Sequence, residues 1–104
     1  MMKRKSTMLQ ISFVKKKLEN GEWCSKCNDV NERLHKDDLL QYIDHTIVAD
    51  VNDPESEGIK LALEYNVDRA PFFIVKDTTT NSVEVFDVYF KFKRHIQRLS
   101  VAAA

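Results

Sequence analysis

Glycine and proline are scarce in this chain, two of each among 104 residues, and there are only two cysteines and one tryptophan. So few glycines, with no run of aromatics interleaved among basic residues, argue against a nucleic-acid module. Two cysteines cannot frame a disulfide-stapled miniprotein. A zinc site needs about four ligands, and the histidines do not complete one. His35 falls too far along the same helical pattern from Cys27, while His45 and His95 belong to distant elements. All three are expected at the surface, and no metal or organic cofactor is expected. No apolar run approaches the roughly 20 residues that cross a bilayer. The basic stretch "MMKRKSTMLQ" is followed by no apolar region of about 7–15 residues and no small-residue cleavage site. A cytoplasmic monomer is expected, without membrane or nucleic acid as partner.

Charge is balanced overall, 16 Lys and Arg against 16 Asp and Glu, but it is unevenly distributed. Met1 to Leu18 holds Lys3, Arg4, Lys5, Lys15, Lys16 and Lys17 and no acid, and Lys91 to Arg98 is basic again. Asp29 to Asp68 is mostly acidic. Such basic ends attract phosphates or acidic partners when they act at all; solvated faces are the simpler reading. With 43% hydrophobic and 31% charged residues, residues 1–104 suit one domain. Its core spans about 8–99, between a basic N-terminal tail and an Ala-rich C-terminal one.

"MLQISFV" alternates, with Leu9, Ile11 and Phe13 on one face, and is expected as a strand. The polar "KKKLENGE" is expected as a loop leading to "GEWCSKC", which holds both cysteines. From Cys24 the period becomes helical, with Cys27, Val30 and Leu34 at spacings of three and four. "KDDLLQYI" adds a short helix or turn. "HTIVADV" has the β-branched character of a buried parallel strand. In "NDPESEGIKLALEYN", Asn52 or Asp53 can cap a helix, with Pro54 near its first position. Ile59, Ala62 and Leu63 supply its inward stripe, and Asn66 is a left-handed stop. "PFFIV" opens an apolar strand, "DTTTNS" turns the chain and "VEVFD" returns. Phe92, Ile96 and Leu99 mark a last helix. Tyr65, Phe72, Phe73, Phe86 and Phe92 are expected in the core. The residues alone leave the cysteines open as a redox couple, part of a metal site or two small buried residues.

The placement of "WCSKC" between first strand and first helix resembles the thioredoxin superfamily in its short, glutaredoxin-like form. "LEYNVDRAPFFIV" is similar to the family's helix end followed by a proline that enters an apolar strand. The element order βαβαββα matches from about Met8 to Leu99. The resemblance implies an α/β, thioredoxin-like fold: a four-stranded mixed sheet flanked by helices on both faces. It implies a thiol–disulfide oxidoreductase in which Cys24 attacks and Cys27 resolves. A cis Ala70–Pro71 bond would face them, and Trp23, Ser25, Lys26, Ala70 and Pro71 would shape the substrate site. Lys26 would add positive charge beside Cys24, whose place at a helix start favours a thiolate. The partners would be a disulfide-containing protein or a glutathione-type thiol, and a reductant. Several features depart from the family, among them the longer basic loop "KKKLENGE", whose lysines would hold a glutathione carboxylate or an acidic partner or, on the simpler reading, keep the loop solvated. No acid stands on the first strand where many thioredoxins bury an Asp beneath the disulfide, with Ser12 the nearest polar residue. "FDVYFKF" lacks the Gly-Gly and acidic pair by which glutaredoxins hold glutathione. A module of the same fold that binds a partner without turnover is the alternative.

Overall fold

The computed structural model describes the backbone of residues 9–103 and the side chains of residues 9–98. Met8, the basic residues Lys3, Arg4 and Lys5 and the side chain of Leu99 lie outside the described residues. The chain forms β1 (Leu9–Lys17), α1 (Ser25–Lys36), a 3-10 turn (Leu40–Tyr42), β2 (His45–Asp50), α2 (Glu57–Glu64), β3 (Phe72–Asp77), β4 (Ser82–Phe86) and α3 (Tyr89–Ala103). The four strands make one mixed sheet in the order β2-β1-β3-β4. β1 runs parallel to β2 and antiparallel to β3, which is antiparallel to β4.

Alternation along β1 and β3 sends side chains to two cores. Leu9, Ile11, Phe13, Phe73 and Val75 meet Val30 and Leu34 of α1 and Phe92 and Ile96 of α3. On the other face Val14, Phe72 and Ile74 meet Ala49 and the α2 side chains Ile59, Leu61 and Ala62. Helices therefore cover both faces, and β3, the inner strand next to β1, is apolar at Phe72, Phe73, Ile74 and Val75 in succession. The first core is built on aromatic stacking. Phe13 and Phe73 are opposite each other in the ladder with ring centroids 5.0 Å apart, and Phe92 stacks on Phe73 at 3.9 Å.

Several expectations are corrected. Lys15, Lys16 and Lys17 are not loop residues: they extend β1 opposite Val48, Ala49 and Asp50 of β2. β2 is parallel to β1 but lies at the sheet edge, and only Ala49 in it is fully buried. α2 starts after Ser56, not after Asn52 or Asp53, because those residues are held in side-chain turns. The Asn52 amide donates to Asp50 Oδ1 and the Glu55 amide to Asp53 Oδ1. Pro54 therefore precedes the helix. Leu63 is 77% exposed rather than inward. Tyr65 and Phe86 are half-buried at the rims of the cores, and His95 is not a free surface residue. Its ring lies 5.0 Å from that of Phe86 and its Nε2 is 3.4 Å from Glu84 Oε1. Asn66 does take the left-handed conformation that ends α2, at φ 56°.

Gly58 explains how α2 sits so close to the sheet. A Cβ there would lie 2.5 Å from the Val48 carbonyl carbon and closer still to the Ala49 amide nitrogen. Only glycine fits a backbone packed at that distance.

Candidate functional site: a cysteine pair at the end of the central strand

β1 leads out of the sheet into a tight turn. The Leu18 carbonyl accepts from the Gly21 amide (2.9 Å) and the Leu18 amide donates to the Glu22 carbonyl (2.8 Å). Gly21 takes φ +86°, a left-handed value that suits the residue closing such a turn. The chain then folds back, and Trp23 bridges antiparallel to Lys17. This return brings Cys24 beside the strand it has just left. The Cys24 amide donates to the Lys16 carbonyl at 3.1 Å.

Cys24 is the N-cap of α1 and Cys27 lies in its first turn. They are 4.0 Å apart and both are free thiols, Cys24 half-buried and Cys27 buried. The inward face of α1 begins at Cys27, which continues into Val30 and Leu34. The Lys16 amide donates to Cys27 Sγ at 3.3 Å. A single residue of β1 thus holds one cysteine by its carbonyl and the other by its amide.

The two sulfurs feel opposite fields. Burial pushes the Cys24 thiol up, but four effects outweigh it: the backbone amides of Cys27 and Lys26, the Cys27 thiol and the charge of Lys16. The net shift is below the ordinary thiol value. No side-chain hydrogen bond caps the helix, so these amides act on the sulfur through their dipoles at the positive end of α1. Cys27 is raised, first by burial and then by the neighbouring Cys24, against the Lys16 amide and the charge of Lys15. The cationic influence expected of Lys26 comes instead from Lys16; Lys26 contributes through its amide.

The other expected site residues are distributed as follows. Trp23 is 37% exposed and the Lys15 ammonium sits 4.3 Å over its ring. Ser25 and Lys26 are exposed on the first turn of α1. The Ala70–Pro71 peptide bond is cis, and Pro71 is buried. Pairing of β1 with β3 ends at Val14 opposite Phe72, so Ala70 and Pro71 enter the sheet at the end of β1 that carries Lys15 and Lys16. Ala70 and Lys16 share a small cavity of about 140 Å³ with Asp68, Arg69 and Phe72. Beyond it the Arg69 Nε lies 3.8 Å from Asp87 Oδ2. Ser12 is far from the cysteines in the ladder, opposite His45 and Ile74.

Lys15 and Lys16 were expected in a basic loop that either binds an acidic group or stays solvated, and their place on β1 beside the cysteines was missed because three lysines in a row look like a loop. The available signal was alternation: carrying the β1 pattern past Val14 leaves Lys16 on the strand's end beside whatever follows the turn. Among the described residues no group of three or more His, Cys, Asp and Glu side chains is arranged to hold a metal ion, and no helix is long and apolar enough to cross a membrane. No family model, curated protein or solved structure matches this chain.

Proposed function

We propose that this chain is a thiol–disulfide oxidoreductase with a thioredoxin-like fold. One observation carries the reading: a thiol lowered below its ordinary value at a helix N-cap, one turn from a buried thiol that is raised. The βαβαββα order and the mixed sheet covered on both faces support it.

In the proposed exchange the Cys24 thiolate attacks one sulfur of a substrate disulfide. A Cys24–substrate disulfide forms and the other substrate sulfur leaves as a thiolate, which takes a proton from water. Cys27 then gives up its proton to the hydroxide that step leaves and attacks the Cys24 sulfur, and the substrate sulfur that departs takes a proton from water. The Cys24–Cys27 bond forms as the mixed disulfide breaks, and the substrate leaves as its second thiol. The substrate gains two electrons and the protein loses two. A thiol reductant of the glutathione class or a dithiol protein restores the pair by the reverse sequence. Trp23, Ser25 and Lys26 flank the attacking Cys24 along the chain, and Ala70 and Pro71 are assigned to the edge that receives the substrate. The location is proposed to be the cytoplasm, where a cycling disulfide is more expected than a structural one.

The test is a redox titration of the purified protein in glutathione buffers, with free thiols counted by mass spectrometry after alkylation. A reversible two-electron transition that Cys24→Ser abolishes is expected. Two thiols that stay reduced across the range, or a transition that survives Cys24→Ser, overturn the reading.

A further inference from the structure

β1 carries no acid, and the residue whose main chain bonds to both cysteines is a lysine, Lys16. Its main chain makes two bonds of opposite sense: carbonyl to the Cys24 amide at 3.1 Å and amide to Cys27 Sγ at 3.3 Å. Its strand pairing with Ala49 fixes that main chain from the far side. Its positive charge is the smallest of the causes that lower the Cys24 thiol, and its side chain borders the cavity lined by Ala70.

We infer that Lys16 is the positioning residue of the cysteine pair: its backbone sets the two sulfurs relative to each other, and its ammonium holds negative charge on Cys24. This rests on the oxidoreductase reading for its use, though not for its test. The backbone bond to Cys27 has a chemical sense of its own. An N–H donor stabilises a thiolate more than a thiol, so it favours Cys27 at the moment that sulfur must attack.

The charged groups around Lys16 have both signs. Lys15 and Lys16 stand on β1, Lys26 on α1, and Asp68 and Arg69 on the segment entering β3, sharing the cavity with Lys16. Glu19, in the turn after β1, borders a surface depression together with Lys16.

The experiment is the pH profile of Cys24 alkylation by iodoacetamide in the full chain, followed at the peptide level, for wild type, Lys16→Met, Lys16→Arg and Lys26→Met. In Lys16→Met the inflection should move to higher pH and the rate at pH 6.5 should fall about two- to fivefold, the size of one partly exposed charge interaction. Lys16→Arg should restore the profile, and Lys26→Met should move it less than Lys16→Met. A Lys16→Met profile that coincides with wild type, or one that Lys16→Arg fails to restore while the fold is intact by circular dichroism, overturns the inference. The backbone half is read by hydrogen exchange of the Lys16 amide. Cys27→Ala removes its acceptor and should speed its exchange relative to the Val14 amide; an unchanged ratio overturns that half. Alkylation and exchange need no turnover. A redox titration without a transition therefore sinks the oxidoreductase reading and leaves the role of Lys16 decided by its own data.

Discussion

Replacing Gly58 by Ala adds one methyl group to α2 and should destabilise the protein, although alanine is the better helix former. The methyl would lie 2.5 Å from both the carbon and the oxygen of the Val48 carbonyl, and nearer to the Ala49 amide nitrogen. Ordinary contacts between such atoms begin near 3.5 Å, so α2 or β2 must retreat by most of an ångström. The atoms in the way belong to a strand backbone and cannot rotate aside. Overpacking of this kind costs about 1–3 kcal/mol. Against it stands the helix-propensity gain of roughly 0.8–1.0 kcal/mol for Gly→Ala in a helix interior, smaller here because Gly58 is the second residue of α2. A net loss of about 1–2 kcal/mol follows, which lowers a urea midpoint by roughly 0.5–1 M at the slope of a small domain. Leu63→Ala is the control on the same helix: that side chain is 77% exposed and its loss should stay within about 0.5 kcal/mol. A Gly58→Ala midpoint equal to or above that of wild type would refute the claim that α2 needs glycine to reach the sheet. Because Ala49 is the ladder partner of Lys16, the same variant should alter Cys24 alkylation in the folded protein, and Leu63→Ala should not.

At pH 7 a limiting amount of iodoacetamide should modify Cys24 well before Cys27, because Cys24 is lowered and half-buried while Cys27 is raised and buried; peptide mapping that finds equal labelling contradicts the assigned fields. Phe73→Ala removes the middle ring of the Phe13–Phe73–Phe92 stack and should cost about 3–5 kcal/mol in urea unfolding. Tyr89→Phe deletes the hydroxyl that donates to Asp37 Oδ2 at 2.7 Å and to the Arg33 carbonyl at 3.3 Å, and its urea midpoint should fall near neutral pH. Tyr89 first, then Lys93 and Arg33, hold the Asp37 carboxyl below the usual range. A depressed folded pKa gives stability that is present above the unfolded carboxylate value and lost as pH falls through the folded one. The gap between wild type and Tyr89→Phe should therefore narrow in acid, and a gap that is constant with pH refutes the assignment.

How much was legible in the sequence depended on whether one physical cause decided an element. β3 could be read from "FFIV" because an inner strand covered on both faces needs no polar positions. The stripe Cys27, Val30, Leu34 marked α1 because a helix on the face of a sheet buries one row of side chains. α2 was harder, since two causes competed. Asn52 and Asp53 carry good capping chemistry, but the connection from edge strand β2 uses Asp50 and Asp53 to close turns before the helix can start. The helix then rotates to bring Gly58 against Val48 and Ala49. At 3.6 residues per turn Leu63 lies about 140° round from Gly58, which turns it to solvent. A stripe read from apolar residues alone could not include a glycine as its closest contact.

The site illustrates the same limit at the level of chemistry. Cys24 and Cys27 were visible as a pair, but their difference comes from what the turn at Gly21 brings back against β1. The return places Cys24 at an N-cap, where a half-buried sulfur faces helix amides, and leaves Cys27 pointing inward at the Lys16 amide. Both contacts come from Lys16, three residues past Phe13 in a strand whose pairing with β2 and β3 is the centre of the fold. Reactivity at the pair is therefore tied to the register of β1 against β2. A one-residue slip would exchange the faces of Lys15 and Lys16 and separate the ammonium from Cys24. On this argument the division of roles between the two sulfurs follows from backbone placement, and a lysine supplies it where no carboxylate is present.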